Sequence, residues 1–360
     1  MLSRVAHNLY WMSRHIERAE NTARLVDVNL QLLLDVRNLN DRTLAEYWQP
    51  VVQSTGDEAR FLELHPRATG QTVTEFLVFQ PENANSIVSC VAQARENART
   101  VRDQLTVEVW EELNRLYLLL HSPRARELWR DSPQDFFHEI KSSSLHLQGL
   151  TDATVVRNEG WYFVQAARFL ERADKTSRLL DVRHASVPTR GAPAASATSQ
   201  ADVLGWSAVL RSCSAWDAYK VLHGAEVQPA LVAEFLLLSE GFPRSTRFCV
   251  QQVNLALRGI SGGAENRFCN DAEKLCGRLL AELQFSTAAD IFDCGLHPYI
   301  DQLQVKLNAI GEALFQTYIL QAFRLQSDDE LRQQEEQQQQ QQRRPVPPPP
   351  SRNARPLPAR

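Results

Sequence analysis

Glycine is scarce in this 360-residue chain, with 14 residues, which disfavours folds built on tight turns and favours helices. No segment alternates apolar and polar residues with a clear period of two, so no sheet is assigned. No apolar run is long enough to cross a bilayer, and no membrane partner is expected. The N-terminus opens directly on a charged amphipathic segment, which predicts no signal peptide. A formal net charge of -4 argues against a polyanion binder, so no nucleic-acid role is expected. Cys90, Cys213, Cys249, Cys269, Cys276 and Cys294 form no CxxC pair and no zinc spacing. They read as reduced thiols, and a cytoplasmic location follows. Neither a GxxxxGK[ST] nor a GxGxxG phosphate loop is present.

What is present is helical periodicity. Leu9, Met12, Ile16, Ala19, Ala23, Val26, Leu30 and Leu33 recur at three- and four-residue steps, with Tyr10, Arg14, Glu17, Asn21 and Arg24 on the opposite face. This predicts one long helix from Leu2 to Val36. Further helices are predicted at 72–79, 86–104, 107–121, 133–156, 159–183, 202–223, 227–239, 243–258, 265–284 and 296–326. Ser86, after the polar connector "PENANSI", is placed as a helix N-cap. "ASVPTRGAPAASATSQA" (Ala185–Ala201) reads as a flexible linker, and the Gln/Pro/Arg-rich stretch 327–360 as a disordered tail.

One charged pattern occurs twice. Arg14–Val28 and Arg168–Val182 share nine identities in fifteen positions, including three arginines, a glutamate and an aspartate. Helical periodicity explains recurring apolar positions but not recurring charges, so the expected architecture is an all-α multi-helix bundle with two related helical halves. The domain reading is a first helical half at 1–184, the linker at 185–201, and a second helical part at 202–326. Glu20–Arg24 and Asp174–Arg178 are i,i+4 pairs. Two readings of the stripes stay open. In one, Arg14, Glu17, Asn21 and Arg24 and their counterparts Arg168, Glu171 and Arg178 form a packing network. In the other, they face a polar cleft in which arginines hold carboxylates or phosphates.

Other chemistry finds little support. A dimetal carboxylate bundle needs Glu-x-x-His, which the chain lacks. Asp135-x-x-His138 and Asp181-x-x-His184 have the spacing, yet Leu30 stands where the second copy has His184, and nearby arginines repel a cation, so no metal is expected. Cys213 and Cys249 read as buried thiols rather than nucleophiles. Arg244, Ser245 and Arg247 in "FPRSTRF" open a helix whose amides could bind an anion, with capping by Ser245 the plainer role.

"MLSRVAHNLYWMSRHIERAENTARLVDVN", "PENANSIVSCVAQARENARTVRDQL", "EGWYFVQAARFLERADKTSRLLDV", "LRSCSAWDAYK", "AEFLLLSEGFPRSTRFCV" and "GLHPYIDQLQ" resemble, in order, the bacterial alpha-E domain family over residues 1–326. The resemblance implies an all-helical fold with a glutamate-rich motif. It places shared polar positions at Arg14, Glu17, Arg18, Asn21, Arg24, Glu171, Arg172 and Arg178, with Asn83, Asn85, Arg95, Glu96, Asn97, Arg99, Arg244 and Ser245. It assigns no catalytic residues. His15 stands where the family often has an aromatic, and His7 where it is commonly acidic. Members are encoded beside or fused to circularly permuted ATP-grasp ligases, with transglutaminase-like peptidases as neighbours. The resemblance thus implies an accessory or substrate-binding partner of an amide ligase making or modifying a small peptide. ATP and Mg would sit on the ligase, with no cofactor on this chain. The alternatives are a peptide- or amide-processing enzyme with Glu17 or Glu171 as general base, and a purely structural helical adaptor.

Overall fold

The computed structural model describes residues 1–35, 41–183, 200–263 and 267–320. The expected linker 185–201, apart from its last two residues, and the tail 327–360 lie outside the described residues, as does the end of the last expected helix. Among the described residues every regular element is helical. In order they are α1 (Ser3–Asp35), α2 (Asp41–Thr55), α3 (Glu58–Leu64), α4 (Gly70–Thr74), α5 (Ile87–Thr100), α6 (Val107–Leu120), α7 (Pro123–Asp131), α8 (Pro133–Thr154), α9 (Glu159–Asp181), α10 (Gln200–Ser212), α11 (Trp216–His223), α12 (Pro229–Leu238), α13 (Thr246–Ser261), α14 (Asp271–Phe285), α15 (Ala288–Cys294) and α16 (Leu296–Phe315). Single π turns extend α4 over Glu75–Phe79 and α16 over Gln316–Leu320.

Local chemistry sets these boundaries. Ser86, Thr106, Ser132, Asn158, Ser245 and Asn270 each accept a backbone N–H of the first turn they precede, and Pro123 and Pro133 occupy first-turn positions where no N–H is needed. Gly262, in the left-handed region at φ 66°, ends α13, so the "GISGG" segment closes a helix. The helix expected over 202–223 is in fact two, α10 and α11. Ser214 between them takes a φ of 51°, which no helix accommodates. Four further helices, α2, α3, α7 and α15, were not expected. Pro50 lies inside α2, and the other three are nine residues or shorter, too short for periodicity to register.

α1 and α9 run parallel through the middle of the molecule. Ser13 donates to the carbonyl of Val164, and pairings between the two helices climb in the same direction along both. Against this axis α5 and α8 pack on α1, while α13 and α16 pack on α9. Apolar side chains gather in three places. Trp48, Phe76, Ile87 and Phe136 fill the space among α1, α2 and α5–α8. Trp206, Tyr219, Leu236, Cys249 and Ile300 fill that among α9–α16. Leu9, Met12, Leu113, Leu147 and Val164 gather where the first halves of α1 and α9 meet α5, α6 and α8. α9 is thereby buried almost all round, charged residues included.

Cys90, Cys213, Cys249 and Cys276 are buried and Cys269 and Cys294 exposed. Burial pushes the Cys90, Cys249 and Cys276 thiols up to about 12 and Cys213 to about 11. In a thiol-reagent titration of the native chain, Cys269 and Cys294 are therefore expected to react rapidly and the other four only after denaturation; fast reaction at Cys249 or Cys213 would revive a nucleophilic role.

Candidate functional site

The two charged stripes meet. Glu17–Arg18 on α1 and Glu171–Arg172 on α9 lie at the same level of the parallel pair and exchange partners. Arg18 forks onto Glu171 through Nε at 2.7 Å and Nη2 at 3.0 Å. Arg172 forks onto Glu17 through Nε at 2.7 Å and Nη2 at 2.9 Å. Each glutamate thus receives a two-toothed, charge-assisted contact from the opposite helix, the geometry in which guanidinium and carboxylate planes match. Both glutamates are essentially solvent-free, at 1% and 0% exposure, so neither has water as an alternative partner.

Flanking groups complete the lattice. Arg14 donates Nε to Glu171 at 2.5 Å and Nη1 to the Tyr10 hydroxyl at 2.8 Å. Arg244, from the turn before α13, reaches both oxygens of Glu20 at 3.0 Å and Asn21 at 3.1 Å, with a longer contact to Glu17. Arg24 closes on Glu20 from the next turn of α1. On the other side Arg18 donates to Asn85 at 2.7 Å, and Asn85 donates to Asp57. Asn83 holds that turn by donating to the Phe76 carbonyl and accepting from the Asn85 amide. Asp174 accepts from Arg178, and Lys175 stands 3.9 Å from both Glu171 and Asp174. Gln148 of α8 donates to Glu17 and accepts from Arg172, each at 3.3 Å.

Several expected site residues stand apart. Arg168 turns away from the lattice to Gln165 and Asp152, and its Nε is buried with no hydrogen-bond partner. Arg95 and Arg99 sit further along α5, where both pair with Glu96 and Arg95 lies over the Tyr117 ring. Ser245 caps α13. Residues that pattern reading passed over matter as much: Gln148, Lys175 and Trp11 come from one helix turn away or from distant segments. A partner brought in by the fold, such as Gln148, leaves no trace in local spacing.

The electrostatics follow from this crowding. Desolvation works against the charged form of Glu171, and Arg14 and Arg18 outweigh it, holding the carboxyl far below the usual range. Glu20, under Arg244 and Arg24, is held down to about 2. Such carboxylates are weak bases at neutral pH. Burial and the Arg18 charge lower His15 to about 4, so it is neutral there. Cations outnumber carboxylates: Arg14, Arg18, Arg24, Arg172, Arg178, Arg244 and Lys175 surround Glu17, Glu20, Glu171 and Asp174. A cleft of about 310 Å³ among α1, α9 and α16 adjoins them, and its walls include Tyr10, Trp11, Arg14, Asp174, Glu312 and Phe315. A separate three-residue group, Asp181, His297 and Asp301, brings its ligand atoms within 4.8 Å of one another at the surface. His297 Nδ1 already contacts Asp181 at 2.6 Å.

Residues 1–319 match the model of the Alpha-E family, described as a predicted alpha-helical domain with a conserved ER motif. The motif is thus glutamate–arginine rather than glutamate-rich, and this chain carries the dipeptide at both Glu17–Arg18 and Glu171–Arg172. Uncharacterized proteins of Mycobacterium bovis and Mycobacterium tuberculosis are 26% identical over 282 residues, covering 72% of this chain. The chain spans only 30% of the length of these relatives. No solved structure matches it.

Removing one member of a buried, hydrogen-bonded ion pair strands its partner's charge at a cost of about 3–5 kcal/mol. Glu171→Ala is expected to lose that much in urea unfolding, and Arg18→Ala with Glu171→Ala less than the two single losses added. Glu20 and Glu171 also set an acid limit. Their folded pKa values lie below the ordinary 4.5, so their contribution is complete above pH 4.5 and drains as pH falls towards 2. Thermal midpoints should fall steeply through that window, and less steeply in Glu171→Gln.

Proposed function

The chain belongs to the Alpha-E family, and from that premise we propose that it is a non-catalytic helical module that holds substrate for a separate ATP-grasp amide ligase acting on a small peptide. The observation that carries this reading is the length relation. In the mycobacterial relatives the matching stretch is under a third of a much longer chain, as suits a unit that works beside other domains. The site chemistry supports it too. Each glutamate of the two ER pairs is tied to arginine, so the arrangement favours holding an anionic or polar ligand over moving protons. ATP and Mg belong to the ligase on this reading, a transglutaminase-like peptidase is a further candidate partner, and the compartment is the cytoplasm.

The same reading takes the fold as an internal duplication about the α1–α9 axis. Taken in order, α1–α8 and α9–α16 form eight counterpart pairs, with α4 and its π turn answering to α12. Glu75-Phe76-Leu77 and Glu234-Phe235-Leu236, Ser86 and Ser245, and Cys90 and Cys249 all recur at one spacing of 159 residues. The counterparts also do the same work. Ser86 and Ser245 cap α5 and α13, and the Cys90 and Cys249 thiols face the carbonyls of Ala84 and Pro243. Arg18 and Arg172 donate to Asn85 and Pro243, in the turns before those helices. On this reading the halves join at 155–158, before α9, rather than at the 185–201 linker of the sequence reading.

The test is reconstitution with the candidate ATP-grasp partner. The chain alone should consume no ATP. The pair should consume it when amino acids or peptides are added, and Arg14→Ala, with folding checked by circular dichroism, should lower that rate about tenfold or more. Full activity in a folded Arg14→Ala variant would remove the cleft from the function, and peptide turnover by the chain alone would remove the accessory role.

A further inference from the structure

The α1–α9 axis is flanked alike by α8 and α16, but the two flanks are filled differently. On the α8 side Gln148 inserts its amide between Glu17 and Arg172, and the space left beside Met12 and Arg168 is about 30 Å³, room for a water. On the α16 side the position facing the axis is Gly311, which has no side chain to insert, and the cleft beside it is about 310 Å³. That volume suits a small metabolite.

Three unsatisfied features describe what would occupy it. Arg14 uses Nε and Nη1 on Glu171 and Tyr10, which leaves Nη2 without a hydrogen-bond partner among the described residues. Asp174 gives Oδ2 to Arg178, with Lys175 standing 3.9 Å from that same oxygen, while its Oδ1 is buried and accepts nothing. Glu312 stands exposed at the mouth with one oxygen on Gln316. A simple carboxylate would suit Arg14 but be repelled by Asp174, and a simple amine would meet the reverse conflict. A zwitterion answers both. Trp11, Leu170, Leu307 and Phe315 make most of the remaining wall apolar, with the amide of Asn308 as a polar group among them.

We propose that this cleft binds a free α-amino acid with an apolar side chain, its carboxylate on Arg14, its ammonium group on Asp174 and Glu312, and its side chain against Trp11 and Phe315. This rests on the substrate-holding reading and names the substrate class for it. Calorimetric titration of the full chain with L-phenylalanine and L-leucine tests it, because neither ATP nor a ligase is needed. At least one of the two should bind one per chain, and phenethylamine and phenylpropionate, each lacking one charge, should bind about tenfold more weakly than L-phenylalanine, or not at all. Gly311→Gln, which gives the α16 side the residue found on the α8 side, should abolish binding. Its Cβ would come within 3.3 Å of Leu170, so its thermal midpoint is recorded with it. Glu312→Gln lies at the surface, away from Leu170, and should weaken amino-acid binding several-fold without changing any binding of phenylpropionate. The proposal is overturned if neither amino acid binds below about 10 mM, if phenylpropionate binds as well as L-phenylalanine, or if Glu312→Gln leaves amino-acid binding unchanged. Amino-acid binding without stimulation of the ligase would refute the partnership and leave the cleft standing.

Discussion

Two glutamates with no access to water sit side by side at the centre of this molecule, and each is neutralised by an arginine from the opposite helix. That exchange is the constraint on which the remaining packing depends. A buried carboxylate costs several kcal/mol in desolvation unless a well-aligned donor meets it. Here the Glu17–Arg172 and Glu171–Arg18 forks can form together only if α1 and α9 are parallel, level and rotated to face one another. A slip of one residue along either helix would turn a guanidinium away and leave two charges stranded. The pairing is therefore better understood as a fixer of register than as a source of net stability, the role that a polar residue at one core position plays in a coiled coil. Once register is set, the positions of α5 and α13 follow, because Arg18 and Arg172 also reach into the turns that precede those helices.

The same pairing limits the chemistry the centre can perform. A general base needs a carboxyl whose pKa approaches the working pH, which burial alone would promote. At Glu171 the arginines outweigh burial and drive the pKa the other way, and at Glu20 they do the same. Fixed ion pairs of this kind suit electrostatic holding: their donors are already oriented, and little reorganisation is needed to receive a charged group. The surplus of cations around the four carboxylates points in that direction, since an unpaired guanidinium edge beside an open cleft has an anion or a carbonyl oxygen as its natural partner.

Much of this was legible in the sequence, within definite limits. Recurrence of charge at Glu17, Arg18, Glu171 and Arg172 marked the positions that pair, because periodicity alone would have kept only the apolar ones. The long helices announced themselves through period and caps, as at Ser86. The partners of the stripe were hidden. Arg244 lies more than two hundred residues from Glu20 in the chain yet binds both its oxygens, and spacing arguments see only one helix at a time. The reading of α1 as apolar on one face and polar on the other was too simple, since Glu17, Glu20 and Asn21 are buried as well as the apolar stripe. A polar face need not be a wet face when a second polar face covers it.

The charged pattern repeated on α1 and α9 offers an internal comparison. Ser86 and Ser245 cap the helices they precede, and Cys90 and Cys249 are buried in those helices, so architecture is sufficient reason for them. Where matching positions of the two stripes part, the reason must be sought elsewhere. Arg14 and Arg168 hold the same place in the repeated pattern, but one turns to Glu171 and the other to Asp152. The divergence tracks the flank. With Gln148 in place, Glu17 already has its extra donor, and Arg168 has no vacancy to fill. With Gly311 in place, Glu171 takes that donor from Arg14, and the guanidinium is brought to the edge of the cleft. Glycine at 311, on the flank opposite the long amide of Gln148, thus goes with two things at once, an open volume and a charge at its wall. Packing alone would favour filling such a space, since an empty flank forfeits contacts that the α8 flank enjoys. The sacrifice is intelligible if something from outside the chain makes those contacts instead.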